Sequence, residues 1–185
     1  SAGLLVVVDE SWLPFSGAED EDLTPLLAEP EGGRLALIRC LDSAWGLEED
    51  RVGYLLAGDE ISANLGSLSD DAPVSESVDG TLRWMMQEPS TRLEHARALR
   101  EARDQVLSAL MEIPGLNPLP NRGPWIAFCC PGRSGAELAT ELGSRGIQAH
   151  HSEHWSWRDA VVLAVPRPEQ RRSLIGAVRK ILSAP

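Results

Sequence analysis

The 185-residue sequence predicts an α/β protein, in which part of an open sheet is followed by a small two-layer α/β unit. Three observations predict it. Short uninterrupted apolar runs at residues 4–8, 35–38 and 52–57 are typical of strands that are buried on both faces of a sheet. Residues 93–110 have apolar side chains at three- and four-residue spacing, which indicates an amphipathic helix. Beyond that helix, strand-like and helical segments alternate, which is typical of a layered α/β unit.

The elements of residues 1–88 follow from local signals. An acidic loop at 19–22 follows the first strand, and residues 25–31 contain a predicted helical turn before the second strand. We expect helices at 59–68 and 78–87, with Trp84, Met85 and Met86 of the second helix packing inward.

The elements of residues 89–185 have clearer boundaries. The capping box Thr91-x-x-Glu94 predicts the start of the long helix, and Pro114-Gly115 predicts its end. A strand is expected at 125–130, and a helix capped by Ser134-x-x-Glu137 follows it. Two further strands are expected at 147–150 and 160–165, and Pro168 is expected to be the first residue of a last helix.

Composition limits the possible functions. The net charge of −11 makes nucleic acids and anionic membranes unfavourable partners, because both carry negative charge. No apolar run approaches the roughly 18 residues that span a bilayer. Cys129 and Cys130 are adjacent, which strains a mutual disulfide, so we expect them and Cys40 to be reduced thiols in a cytoplasmic protein. The chain has 17 basic residues, of which the only lysine is Lys180.

The residues at the predicted strand ends form a recognisable order. Asp9 and Glu10 end the first strand, an Arg39-x-x-x-x-x-x-Gly-Leu loop follows the second, and Arg51-Val-Gly-Tyr opens the third. Ligands of open α/β sheets bind at the carboxyl ends of strands, so we expect a site at Asp9 and the 40–46 loop.

This order resembles the fold type I aminotransferases, which depend on pyridoxal phosphate, and most of all their histidinol-phosphate aminotransferase and threonine-phosphate decarboxylase branch. The resemblance implies the C-terminal part of that scaffold: a partial cofactor-binding large domain at 1–88 and the small domain at 89–185. The glycine-bearing turn, the stacking aromatic residue and the Asn-Pro-x-x-x-x-Gly turn of the preceding half are not found in this sequence, so we expect a truncated scaffold.

Two positions retain the chemistry that the resemblance implies. Asp9 stands where the family's carboxylate meets the pyridine nitrogen, and Arg51 stands where its guanidinium holds the cofactor phosphate.

The other cofactor positions differ from the family. Trp12 replaces the tyrosine that bonds the cofactor's phenolic oxygen, and Cys40 and Asp42 replace two serines. Ser43 replaces the Schiff-base lysine, and a hydroxyl cannot form an imine. The Asp42 carboxylate would repel a phosphate group. We therefore expect no cofactor, since any pyridoxal phosphate could be held only non-covalently.

Two weaker candidates lie near the last predicted strand. Val162 stands where the family's substrate-binding arginine would be, and Arg158 is the candidate to replace it. His150-x-x-Glu153-His154 matches an inverted zinc-peptidase pattern, which requires a helix and a third ligand. The flanking residues indicate a loop instead. Surface histidines, a metal or partner contact, and a peptidase all remain open at this point.

Two functional hypotheses follow. The first is a degenerate aminotransferase-like protein that acts as a structural, regulatory or assembly partner, with a homodimer or a second chain covering the open edge of the 4–8 strand. The second is an enzyme or enzyme subunit, either completed by another chain or adapted to a lysine-independent reaction that uses Asp9, Asp42, Ser43 or the 150–154 cluster.

Overall fold

The computed structural model describes residues 3–17, 22–29, 32–41, 52–68, 76–151 and 159–183. The chain divides into two compact units, Ser1–Arg97 and Ala98–Pro185, which we call the N-terminal and C-terminal units. The division falls within a long helix, Pro89–Met111, and the sequence-based boundary at 88/89 lies immediately before that helix.

The N-terminal unit contains a three-stranded sheet of mixed direction. Its strands are β1 (Val6–Asp9), β2 (Leu35–Cys40) and β3 (Gly53–Ala57), in that spatial order. β1 runs parallel to β2, from the pair Val6 and Leu35 to the pair Asp9 and Ile38. β3 runs antiparallel to β2, so that Cys40 lies opposite Gly53. The carboxyl ends of β1 and β2 therefore lie side by side.

The N-terminal unit also contains helices and helical turns. They are α1 (Leu13–Ser16), two 3-10 turns at Thr24–Ala28 and Gly32–Arg34, α2 (Asp59–Gly66) and α3 (Glu76–Gln87). The predicted helical turn and both predicted helices are confirmed. The side-chain prediction for α3 is partly wrong, because Met85 is buried whereas Trp84 and Met86 are exposed.

The first strand is not buried on both faces as predicted. Leu4 is 70% exposed, and Val6 and Val7 are about half exposed. β1 is an edge strand of the described sheet and pairs with β2 alone. β2 has neighbours on both sides, and its Ala36 and Leu37 are buried. An apolar run thus predicts a strand, but the strand's position in the sheet decides whether the run is covered.

The C-terminal unit packs helices against a four-stranded antiparallel sheet. α4 (Pro89–Met111) leads into it. The remaining elements are β4 (Asn117–Pro118), β5 (Trp125–Cys129), α5 (Gly135–Gly143), β6 (His150–His151), β7 (Ala160–Ala164) and α6 (Pro168–Ser183). The strand order is β4-β5-β7-β6, and every adjacent pair is antiparallel.

One continuous core stabilises this unit. Its buried side chains come from α4, α5, α6 and both central strands, and they include Val106, Leu110, Ile126, Phe128, Leu138, Leu142, Val161, Leu174, Val178 and Ile181. Burial of this apolar surface drives the packing of the two layers.

The helix caps of the C-terminal unit were predicted with mixed success. Ser134 and Glu137 form the predicted capping box, in which the Glu137 amide donates to Ser134 Oγ at 3.2 Å. Pro168 begins α6 as predicted. The predicted start of α4 near Thr91 is wrong, because the helix begins at Pro89 and Thr91 lies inside it. Proline suits a first helical position because it lacks the amide hydrogen that would be unpaired there.

Among the described residues, no helix is both long enough and apolar enough to cross a membrane. All three cysteines are free thiols, and Cys130 is buried as a core residue. Burial raises the pKa of the half-buried Cys129 thiol, with smaller contributions from Asp159 and Cys130.

Candidate functional site

The carboxyl ends of β1 and β2 bring together a cluster of polar side chains. Asp9, Glu10 and Ser11 end β1, and Arg39 and Cys40 end β2. The Glu10 amide extends the ladder by donating to the Ile38 carbonyl at 2.8 Å, which holds the two strand ends in register. The cluster lies where the sequence predicted a site.

One half of the cluster is a chain of hydrogen bonds from a thiol to a carboxylate. The Cys40 thiol donates to Ser11 Oγ at 3.1 Å, and the Ser11 hydroxyl donates to Asp9 Oδ1 at 2.5 Å. The Ser11 amide donates to the same oxygen at 2.9 Å. The hydroxyl bond and then the amide bond hold the pKa of Asp9 below its usual range, so Asp9 is ionised at neutral pH.

The other half of the cluster is an ion-pair network around Arg39. Arg39 Nε donates to Glu10 Oε2 at 2.8 Å, and its Nη2 donates to Asp22 Oδ1 at 2.5 Å and to Thr24 Oγ1 at 3.0 Å. The Glu10 side chain is only 5% exposed. A buried carboxylate of this kind requires a charged partner, because burial of an isolated charge is costly. Arg39 therefore has a structural role that limits its availability to a ligand.

A small cavity of about 150 Å³ opens beside Arg39. Glu10, Arg39, Cys40, Tyr54 and Arg92 are among its lining residues, and Asp9 is not. Adjacent residues at a strand end point to opposite sides, which separates Glu10 from Asp9. The cavity thus has both acidic and basic groups. Among the described residues, no carboxylate oxygen lies within 4.0 Å of a side-chain nitrogen of Arg92.

The structure places some of the predicted site residues and not others. Asp9 and Cys40 are linked through Ser11 as described above. Trp12 follows them in the turn before α1, is 44% exposed, and has its ring 6.2 Å from that of Phe15. The remaining cofactor and substrate candidates, Asp42, Ser43, Arg51 and Arg158, lie outside the described residues.

The predicted metal cluster is only partly described. His150 lies in β6, a strand, whereas the zinc-peptidase pattern needs a helix there. Glu153 and His154 lie outside the described residues. Within the described ranges, no group of three or more His, Cys, Asp or Glu side chains is arranged to hold a metal ion.

Sequence reasoning missed three members of the cluster. Ser11, Glu10 and Arg39 were not predicted to have a role in the site, although each is adjacent to a predicted residue. The alternation of side chains along a strand could have separated Glu10 from Asp9, and an arginine one residue before Cys40 could have been paired with Glu10. The 29-residue separation between Cys40 and Ser11 left no local signal.

Comparison with known proteins gives the fold a name. No family model matches the chain. The chain is 26% identical over 179 residues to the chloroplastic histidinol-phosphate aminotransferase of Nicotiana tabacum, a match that covers 95% of this chain and 42% of the relative. It is 29% identical over 184 residues to histidinol-phosphate aminotransferase of Shewanella amazonensis, covering 96% and 49%. The crystal structure of L-threonine-O-3-phosphate decarboxylase from Porphyromonas gingivalis superposes with a TM-score of 0.83 at 17% identity, covering 97% of this chain and 55% of that one.

The chain has the fold type I aminotransferase fold. The predicted resemblance to the histidinol-phosphate aminotransferase and threonine-phosphate decarboxylase branch is confirmed, and so is the α/β fold class. The chain spans less than half the length of the two curated relatives described above.

The residues present fit one part of pyridoxal phosphate and not another. Asp9 is an exposed, ionised carboxylate at the end of β1, which suits a protonated ring nitrogen. Covalent attachment needs an amine, and the position that resembles the Schiff-base lysine is Ser43. The single lysine, Lys180, is exposed in the last turn of α6, where it borders a cavity lined by residues of the C-terminal unit. If Ser43 holds the Schiff-base position, as the resemblance implies, the chain offers no amine there for an imine.

Proposed function

We propose that this chain is a non-catalytic form of the aminotransferase scaffold that acts as an assembly or regulatory partner of another polypeptide. The observation that carries the proposal is the serine at position 43 in a chain whose one lysine is on the surface of its last helix. Without an amine at that loop, the chain cannot form the imine on which amino-group transfer by this fold depends.

The exposed edge of the N-terminal sheet supports a polypeptide partner. Four consecutive apolar residues, Leu4, Leu5, Val6 and Val7, are each more than half exposed. An uncovered apolar edge strand can pair with another chain, and natural proteins normally protect such an edge. We propose that a second copy of this chain or a different polypeptide covers β1. The three free thiols support a reducing compartment such as the cytoplasm.

The first experiment tests covalent cofactor binding. The purified chain is mixed with pyridoxal phosphate, reduced with borohydride and weighed by intact mass spectrometry. We expect no stable adduct that depends on Asp9, because position 43, which resembles the Schiff-base lysine, is a serine and offers no amine. A stoichiometric adduct that Asp9→Asn abolishes would overturn the proposal.

A restoration variant tests the assignment of position 43. Ser43→Lys combined with Asp42→Ser returns an amine and removes the carboxylate that repels phosphate. We expect this double variant to form a borohydride-stable adduct, because Asp9 is retained and ionised. The control is Ser62→Lys on the exposed face of α2, which should form no more adduct than the unmodified chain. Equal labelling of both variants would show that position 43 is not the cofactor position.

The partner is tested at the edge strand. Val7→Arg places a charge on the exposed β1, and we expect it to dissociate any assembly that light scattering detects for the unmodified chain. Met111→Arg is the matched control, since Met111 is 61% exposed and lies in the C-terminal unit. An assembly that survives Val7→Arg but dissociates with Met111→Arg would place the interface elsewhere.

A second candidate function is an enzyme subunit that another chain completes. The ionised Asp9 favours it, because a purely structural protein would not need a carboxylate that can pair with the cofactor's ring nitrogen. Two relatives are named histidinol-phosphate aminotransferases. The assay therefore measures the loss of the amino group from histidinol phosphate, with the isolated chain and with any complex that copurifies. Turnover by the complex that Asp9→Asn abolishes would favour this candidate over the first.

A further inference from the structure

A second cavity, of about 400 Å³, lies in the C-terminal unit along one face of α6. It is larger than the cavity beside Arg39 and has a different chemical character. Two arginines, a lysine and a serine hydroxyl are among its lining residues. The full set is Arg145, Arg172, Ser173, Gly176, Ala177 and Lys180. No carboxylate is among these described lining residues. We call it the cationic cavity.

The helical spacing explains how these side chains meet. Arg172, Gly176 and Lys180 are four residues apart, so they lie on one face of α6. Arg172 and Lys180 are separated by about 12 Å along the helix axis, at about 1.5 Å per residue. Arg145 follows the end of α5, which packs on α6, and supplies a third cation from a different element.

The cations of this cavity are weakly neutralised. In the described part of the chain, no carboxylate oxygen lies within 4.0 Å of a side-chain nitrogen of Arg172 or Lys180. Arg145 has Glu141 Oε2 at 4.0 Å, and its Nη1 donates to the Glu141 carbonyl at 2.7 Å. Three positive charges therefore face about one negative charge, although the whole chain has a net charge of −11.

Gly176 leaves the floor of the cavity open. A Cβ built at this position would meet no atom within 4 Å beyond the helix itself, and the backbone is helical there. Neither packing nor an unusual φ angle therefore requires glycine, although glycine weakens a helix interior relative to alanine. The space that a side chain would occupy lies midway between Arg172 and Lys180, where their long side chains can converge.

We propose that the cationic cavity binds a small polyanion: a metabolite with a phosphate ester and a second anionic group. Two linked anionic groups suit the converging side chains of Arg172 and Lys180. Arginine binds phosphate oxygens in a bidentate manner, and lysine supplies a point charge. The volume lies within the range of small-molecule sites, and the charge is confined to a concave surface, which suits a small ligand better than an extended acidic segment. This site does not depend on the chemistry at position 43.

The single lysine provides a direct test. Inorganic pyrophosphate is the probe, and the readout is acylation of Lys180 by an N-hydroxysuccinimide ester, followed by peptide mass spectrometry. The α-amino group of the same molecule is the internal control. We expect saturating pyrophosphate to slow Lys180 acylation about tenfold without changing acylation of the α-amino group, since a bound anion covers the amine. Chloride at equal ionic strength should give no such protection.

Two variants of α6 distinguish a specific binding site from a nonspecific effect of positive charge. Arg172→Gln should weaken pyrophosphate binding about tenfold by calorimetry, because it removes a charge-assisted bond. Arg179→Gln makes the same charge change on an exposed residue of α6 outside the cavity lining, and it should leave the affinity within about twofold. Equal losses in both variants would overturn the site.

Gly176→Glu fills the cavity with a carboxylate. Its spacing of four residues from both Arg172 and Lys180 allows ion pairs within the helix, so the melting temperature should not fall. Pyrophosphate binding should disappear in calorimetry. Retention of binding would contradict the proposed position of the ligand. Stronger protection of Lys180 by an acidic peptide than by pyrophosphate would instead assign this surface to a protein partner and overturn the small-molecule proposal.

Discussion

The two units of this chain differ in how completely they cover their apolar side chains. In the C-terminal unit the described residues share one continuous core, and among them Met111 is the one large hydrophobic residue that is exposed. In the N-terminal unit few described hydrophobic residues are buried, namely Phe15, Ala36, Leu37, Met85 and Ala96. Its exposed ones include Leu4, Leu5, Val6, Val7, Trp12, Tyr54, Leu55, Leu65, Leu68, Trp84 and Met86. We infer that the C-terminal unit can fold alone and that the N-terminal unit needs a partner.

Charge follows the same division. Residues 98–185 have 11 Arg and Lys against 8 Asp and Glu, a net charge of +3, whereas residues 1–97 have 6 against 20, a net charge of −14. Together these make the −11 of the whole chain. A strong negative charge opposes compaction of the unit that also has the smaller core. The difference teaches that two units of one chain can differ both in net charge and in the number of described hydrophobic residues that they bury.

We expect the largest effect from a substitution in the core of the C-terminal unit. Phe128 is 1% exposed within the continuous core, so we expect Phe128→Ala to lower the free energy of unfolding by about 3–5 kcal/mol. Phe15 is equally buried, but it lies in the N-terminal unit, where fewer described hydrophobic residues are buried, so we expect Phe15→Ala to cost less. Urea denaturation measures both. An equal loss for the two variants would break the comparison.

The buried ion pair of the N-terminal unit gives the next largest effect. Arg39→Met leaves Glu10 buried without a charged partner, and we expect a loss of about 3 kcal/mol of stability. The control is Arg83→Met, which breaks the exposed pair with Asp79 and should leave stability almost unchanged. If the Arg39 variant is as stable as the Arg83 variant, the network does not organise this unit.

A helix cap in the C-terminal unit gives a smaller effect. Ser134→Ala removes the acceptor of the Glu137 amide and should cost about 1 kcal/mol in thermal denaturation. Ser144→Ala is a matched change at the other end of α5, where the hydroxyl donates to the Glu141 carbonyl, and it should cost less than about 0.5 kcal/mol. Ser134→Asp should preserve stability, because aspartate also caps helices.

The smallest effect is a pH dependence in the N-terminal unit. Hydrogen bonds from the Thr24 hydroxyl, the Thr24 amide and Arg39 lower the pKa of Asp22 from its ordinary 3.8 to about 2. Because the folded pKa is the lower one, Asp22 contributes stability that is fully present above pH 3.8 and is lost as the pH falls to about 2. Thr24→Val should raise this pKa in a carboxyl NMR titration. An unchanged midpoint would contradict the hydrogen-bond network.

Much of the fold could be predicted, because strands and helices depend on local patterns. Three predictions from local signals are confirmed: the strand at the apolar run of β2, the capping box at Ser134 and the start of α6 at its proline. Local patterns did not predict which apolar side chains would be buried. Met86 in α3 has the same apolar character as Met85, and only packing decides that one is exposed and the other buried.

The candidate site was predictable in part for the same reason. Asp9 and Cys40 follow apolar runs, so their place at strand ends could be read from the chain. Ser11 has no distinguishing pattern, yet it joins them through two hydrogen bonds. The role of Glu10 depends on Arg39, which is 29 residues away, and the pairing of β1 with β2 brings these two residues together.

The sequence by itself determined the capping box at Ser134 and the position of Asp9 at the end of a strand, because each depends on the identity of a few neighbouring residues. Only the tertiary structure decided that β1 lies uncovered at a sheet edge and that Ser11 links Asp9 to Cys40. It also decided that Arg145 joins Arg172 and Lys180 around one cavity. These features arise when distant segments pack, and burial and pairing are properties of the packed chain rather than of any segment in it.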